Sequence, residues 1–148
     1  MFFTLRFILN ELLRNMKVKA LVERNDNNYC SIITEQAVSG CHFGGYGYSE
    51  EVKADYMACV NEMLEIAKEE GKDVPNVEDI EVEYRYDIPS FFNYFDWINI
   101  SAFAEQAGIN ELKMRAYKSG LATASEKTIN RILSTIKTMG AAMSAASL

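Results

Sequence analysis

One histidine, three cysteines and no apolar run near the ~18 residues that span a bilayer exclude several kinds of protein before any motif is read. Cys30, Cys41 and Cys59 are odd in number and form no CxxC pair, which argues against a disulfide framework and a zinc site, and for a reduced compartment. His42 stands beside Cys41. Neighbours on a strand point to opposite faces, so the two cannot easily share a metal; Cys41 is expected in the core and His42 at the surface. The glycines of 40–48 are followed by no Lys-Ser/Thr and do not fit GxGxxG, which disfavours a phosphate-binding loop. Residues 1–15 lack the cationic start and small-residue cleavage site of a signal peptide. The expectation is a cytoplasmic protein with no metal and no cofactor.

An excess of positive charge is also missing. Lys and Arg number 15 against 21 Asp and Glu, a formal −6, which by itself disfavours a simple nucleic-acid coat. The deficit is uneven: residues 16–88 carry 7 cations and 16 carboxylates, residues 89–148 carry 6 and 4. An acidic front and a mildly basic back point to two domains with different partners, the front suited to a basic molecule. The expected division takes 1–15 as an over-extended start or an N-terminal helix, 16–88 as an α+β domain, 89–142 as an all-α DNA-binding domain and 143–148 as a flexible tail.

Val18, Ala20 and Val22 alternate with Lys17, Lys19 and Glu23, the period of a half-buried strand. Asn25 to Asn28 reads as a turn into a second strand, Tyr29 to Ile33. The glycine-broken stretch 40–48 is expected as a third strand with a bulge or a close backbone approach. Ser49 is expected to cap a helix with Glu50 and Glu51 in its first turn and Val52, Tyr56, Cys59/Val60, Met63/Leu64 and Ala67 toward the sheet, stopped by Gly71. Ile80, Val82, Tyr84 and Tyr86 then alternate with Glu81, Glu83, Arg85 and Asp87 as a fourth strand. The order β-β-β-α-β describes a sheet with one helix on one face. Beyond Pro89, the cluster Phe91, Phe92, Tyr94, Phe95 and Trp97 has no interleaved Lys or Arg and reads as core or dimer interface rather than a base-stacking platform.

In residues 98–120 spacing carries more than composition. Asn99 or Ser101 can cap a short helix through Ala107, with Phe103, Ala104 and Ala107 inward. Gly108 suits the positive φ of a tight turn, Ile109 fills the corner, and Asn110 caps a second helix from Glu111 to about Ser119 with Met114 and Tyr117 inward. Gly120 stops it. Thr123 and Glu126 form a capping box for a further helix with Ile129, Ile132, Leu133, Ile136 and Met139 at helical spacing. Ala104, Gly108, Ile109 and Gly120 together resemble the phage-repressor family of helix-turn-helix domains. That resemblance implies that Glu111, Leu112, Arg115 and Ala116 face the major groove, and that Asn99, Asn110, Lys113 and Lys118 lie near phosphates. Leu112 and Ala116 would meet thymine methyls, and Glu111 would accept from cytosine or discriminate against some sequences.

The β-β-β-α-β order, with Gly40-Cys41 at strand three and Tyr48-Ser49-Glu50-Glu51 leading into the helix, is followed by such a domain. The whole is similar to HicB-type antitoxins across residues 16–140. The resemblance implies a truncated ribonuclease-H-like domain that binds and blocks a small basic mRNA-cleaving toxin, HicA. It also implies a C-terminal domain that represses the shared operon on double-stranded DNA, as a dimer or higher oligomer. An acidic front would speed capture of such a toxin. Two other readings stay open: a stand-alone transcriptional regulator without a toxin, and a metal-dependent nuclease using Glu23, Asp26, Asp55 or Glu62. Against the last, Asp26 falls in a turn and Glu62 on a helix with apolar neighbours, not at the strand centres a two-metal site needs.

Overall fold

The computed structural model describes Ile8, residues 16–25 and residues 27–148. The expectation of an N-terminal helix and the position of Asp26 lie outside the described residues. The chain is mixed α+β and divides into two compact units, one ending at Ser90 and the other beginning at Phe91, slightly beyond the expected boundary at 88/89.

In the first unit β1 (Met16–Arg24), β2 (Tyr29–Thr34) and β3 (Gly44–Tyr48) precede α1 (Val52–Glu69), a 3-10 turn (Val77–Asp79) and β4 (Ile80–Tyr86). The strands lie in the order β3-β2-β1-β4, with β1 antiparallel to β2, β2 antiparallel to β3 and β1 parallel to β4. Alternation of side chains decides which face is covered. Val18, Ala20 and Val22 of β1 and Cys30 and Ile32 of β2 are buried, as are Val52, Tyr56, Val60, Leu64 and Ala67 of α1. The helix positions recur every three or four residues, the stripe a helix lays on a sheet. Each such aliphatic side chain contributes about 1.5–3 kcal/mol when fully buried, so this layer holds the unit together.

Local chemistry sets the connections. Asn25 Oδ1 accepts from the backbone N–H of Asn27 (3.1 Å) and Tyr29 (3.0 Å), and Asn28 takes φ 63°, which asparagine tolerates better than most residues. The strand expected over 40–48 begins only at Gly44; upstream of it, Val38 and Cys41 form an isolated bridge. The expected close approach is found at Gly45, where a Cβ would stand 2.5 Å from the backbone nitrogen of Tyr56. Ser49 does not cap α1. Tyr48 to Glu51 first closes a turn (Glu51 N–H to Tyr48 O, 2.9 Å), and Glu51 holds the capping position without a side-chain bond.

The boundary between the units falls inside α2 (Ile88–Tyr94). The second unit continues with α3 (Ile100–Ala107), α4 (Glu111–Lys118) and α5 (Glu126–Ala145). Its core is Phe92, Ile100, Phe103, Ala104, Ala107, Met114, Ala124 and Ile132, with the rings of Phe92 and Phe103 edge to face at 4.9 Å. Ser125, not Thr123, caps α5: it has the extended φ/ψ of −66°/159° that a cap requires, and its Oγ accepts from Thr128 N–H at 3.3 Å. The helix then runs through Ala145, three residues into the stretch expected as a tail. No described helix is long and apolar enough to cross a membrane.

Candidate nucleic-acid interface

Each of α3 and α4 has eight residues, fewer than the ~12–15 at which a helix holds itself in water, so their geometry rests on their ends. Asn99 Oδ1 accepts from Ala102 N–H at 3.0 Å and Asn110 Oδ1 from Lys113 N–H at 3.2 Å. A cap of this type contributes about 1 kcal/mol. Between the helices Gly108 takes φ 63° and ψ 34°, the left-handed conformation that glycine adopts without a Cβ penalty. The N–H groups of Gly108 and Ile109 bond back to the carbonyls of Glu105 (3.1 Å) and Ala104 (2.9 Å), closing α3. Arg131 Nη1 of α5 donates to the Gly108 carbonyl at 3.1 Å and ties the turn to the third helix, a contact with no signature in the sequence.

Of the expected DNA-facing residues, four fall where this scaffold leaves α4 open. Met114 is fully buried and Tyr117 half-buried, as the inward face requires. Glu111, Leu112, Lys113 and Arg115 are exposed, Leu112 at 77%, while Ala116 and Lys118 are partly covered. Asn99 and Asn110 are exposed at the helix starts, their side-chain oxygens already engaged as caps.

One connection was not expected. Glu111 Oε1 receives Arg115 Nε (3.0 Å) and Nη2 (2.8 Å) and the hydroxyl of Ser101 (2.6 Å), and Arg115 Nη2 also reaches Ser101 Oγ at 3.0 Å. The Ser101 hydroxyl first and the Arg115 guanidinium second hold the Glu111 carboxyl below the usual glutamate range. The Glu–Arg spacing of four residues is a helix-face pair legible in any sequence. The part of Ser101 is not, because it depends on how α3 crosses α4. Such an exposed pair adds little to stability, so its consequence lies in where it holds the guanidinium.

In the first unit the described carboxylates of the nuclease reading, Glu23, Asp55 and Glu62, do not converge. Glu23 is exposed on the sheet face turned away from α1, whereas Asp55 and Glu62 are exposed on α1 itself. Asp55 is engaged otherwise. Its Oδ2 accepts the backbone N–H of Tyr46 at 2.8 Å, closing a donor on strand β3 at the sheet edge. Among the described residues no three His, Cys, Asp or Glu side chains are grouped to hold a metal. Cys41 is buried and His42 exposed, as expected, although the strand begins only at Gly44.

The face of the sheet away from α1 carries a second candidate surface. Cross-strand register brings Tyr29 opposite Tyr48, Ser31 opposite Tyr46 and Leu21 opposite Ile33. Tyr29, Ile33, Tyr46 and Tyr48 are 45–60% exposed, a cluster larger than scattered surface residues produce. Its β1–β4 half is charged, with Lys17 paired to Glu81 and Glu83 exposed, and Arg85 reaches Glu35 at 3.2 Å. No family model, no curated protein and no solved structure matches the chain.

Proposed function

We propose that the chain is an antitoxin that represses its own operon. In this reading α3, the three-residue turn and α4 form a helix-turn-helix on operator DNA, and the acidic first unit binds and blocks a small basic, HicA-like mRNA-cleaving toxin. The observation that carries the DNA half is a turn set by Gly108 and two asparagine caps, which leaves Leu112, Lys113 and Arg115 outward on a short helix with one fully buried residue. Lysines 113 and 118 would take phosphates, which set affinity and register, while Arg115 and Leu112 would meet base edges. The strand order β3-β2-β1-β4 with one crossing helix supports a truncated ribonuclease-H-like first unit. Its surplus of carboxylates and the apolar patch on its open face suit capture of a basic protein. Domains of this kind usually pair half-sites about one helical turn apart, so a dimer or higher oligomer completes the reading.

Affinity capture of the tagged full-length chain from its native host, followed by mass spectrometry, tests it. A stoichiometric small basic partner is expected, with operator binding that Arg115→Ala plus Lys118→Ala abolishes while partner and fold are retained. Self-association alone with operator binding intact favours a stand-alone regulator. Cleavage of RNA or DNA by the purified chain with magnesium or manganese would return the nuclease reading.

A further inference from the structure

Three side chains from two helices, Ser101 of α3 with Glu111 and Arg115 of α4, share four hydrogen bonds on the outward face. Their arrangement divides the guanidinium. Glu111 Oε1 occupies the side edge formed by Nε and Nη2, while the other proton of Nη2 is within reach of Ser101 Oγ. Nη1 enters none of these bonds. When Ser101 yields, the end edge formed by Nη1 and Nη2 is presented as a planar two-donor fork. That fork matches the O6 and N7 acceptors of guanine in the major groove.

We propose, on the reading of α4 as a recognition helix, that Glu111, itself held by the Ser101 hydroxyl, is a positioning residue that keeps Arg115 side-on so that its end edge reads one guanine in each operator half-site. An exposed arginine on its flexible stem otherwise samples many rotamers and binds any phosphate it reaches. Here the Glu111 carboxylate fixes the orientation before DNA arrives and cancels the charge, so Arg115 contributes to base choice rather than to unspecific attraction. Inside the groove, where water is displaced, the Glu111–Arg115 attraction strengthens and the orientation is kept.

Duplexes selected from a random pool by the full-length chain define the half-site. Fluorescence anisotropy then compares wild type, Arg115→Ala, Glu111→Ala and Glu111→Gln on the selected duplex, on every single base-pair change and on unselected duplex, across salt concentrations, with the Tm of each variant as a check on folding. The wild type is expected to lose about 10–100-fold at one G·C pair per half-site. Arg115→Ala and Glu111→Ala flatten that preference at unchanged Tm. Glu111→Gln, which keeps an acceptor for the side edge, retains most of it. Both Glu111 variants bind unselected duplex more tightly, with a salt slope steeper by about one phosphate contact. A guanine preference that survives Glu111→Ala overturns the positioning role. So does a cytosine preference lost in Glu111→Ala but kept in Arg115→Ala, which assigns direct reading to Glu111. Selection of no duplex by the wild type defeats the recognition-helix reading and this inference with it, and that result differs from the others because they all require a selected half-site.

Discussion

Replacing Gly45 by alanine tests whether the contact between α1 and β3 governs the first unit. The added Cβ would lie 2.5, 2.6 and 2.7 Å from the N, Cα and Cβ of Tyr56, where ordinary contacts are about 3.5–4.0 Å. Backbone stands on both sides, so neither group can swing away, and α1 must retreat by about 1 Å. A gap of about 0.5–1 Å forfeits a quarter to a half of each van der Waals well, here along Val52, Tyr56 and Val60. Overpacking costs about 1–3 kcal/mol, and this site belongs at the upper end. For a unit of this size that is a fall in Tm of about 12–24 °C. Gly44→Ala is the control, since its Cβ would meet nothing closer than 3.8 Å. Thermal and urea unfolding of the full-length variants, followed by far-UV circular dichroism, supplies the comparison. A loss under about 1 kcal/mol at Gly45, or an equal loss at Gly44, refutes the reasoning.

Two further outcomes are expected. Tyr56→Phe removes a buried hydroxyl 2.8 Å from Thr34 Oγ1, and urea unfolding should show a loss of about 1 kcal/mol, because Thr34 keeps its contacts to Phe43. Burial pushes the Tyr56 phenol upward, so the unfolded chain ionises first and wild-type stability falls as pH rises beyond about 10; the phenylalanine variant should lack that component. Ser101→Ala removes the largest cause of the lowered Glu111 carboxyl, and an NMR titration should find it shifted up toward the ordinary glutamate range. An unmoved titration counts against the hydrogen bond from Ser101.

What the sequence revealed, and what it withheld, follows from the range of the forces involved. The buried Val18, Ala20 and Val22 were legible because a strand sorts side chains by alternation alone, and the α1 stripe because a helix sorts them by its turn. Gly108 and Asn110 were legible, and Asn99 as one of two candidates with Ser101, because a cap or a left-handed turn is decided within a few residues. Ser49 and Thr123 misled for the same reason in reverse: each is a good cap by type, but the chain forms a turn or stays extended past it, and the helix starts later. The Ser101–Glu111 bond spans ten positions and two helices, and the Arg131 clamp on Gly108 spans 23. Both depend on packing that no local pattern encodes. Tyr46 and Tyr48 alternate visibly in sequence, yet their clustering with Tyr29 appears only once β2 and β3 are in register.

Asn110 serves two roles in this reading, capping α4 and touching a phosphate, and they use different atoms. The cap uses Oδ1, which accepts from Lys113 N–H; a phosphate would need the Nδ2 donor. Asn110→Asp separates them. Aspartate caps as well as asparagine, and its charge at the start of α4 meets the positive end of the helix dipole, adding about 0.3–1 kcal/mol. Thermal stability should therefore hold or rise. The same substitution replaces the Nδ2 donor by a carboxylate oxygen beside the phosphates, so affinity for selected and unselected duplex should fall together, about tenfold or more, with no change in base preference. Asn110→Ala loses the cap and the donor at once, and should lower both Tm and affinity. If Asn110→Asp binds DNA as the wild type does, while Asn110→Ala weakens binding only as far as it unfolds the helix, Asn110 shapes the turn and touches no phosphate. Affinity would then rest on Lys113 and Lys118, which stand on the same helix.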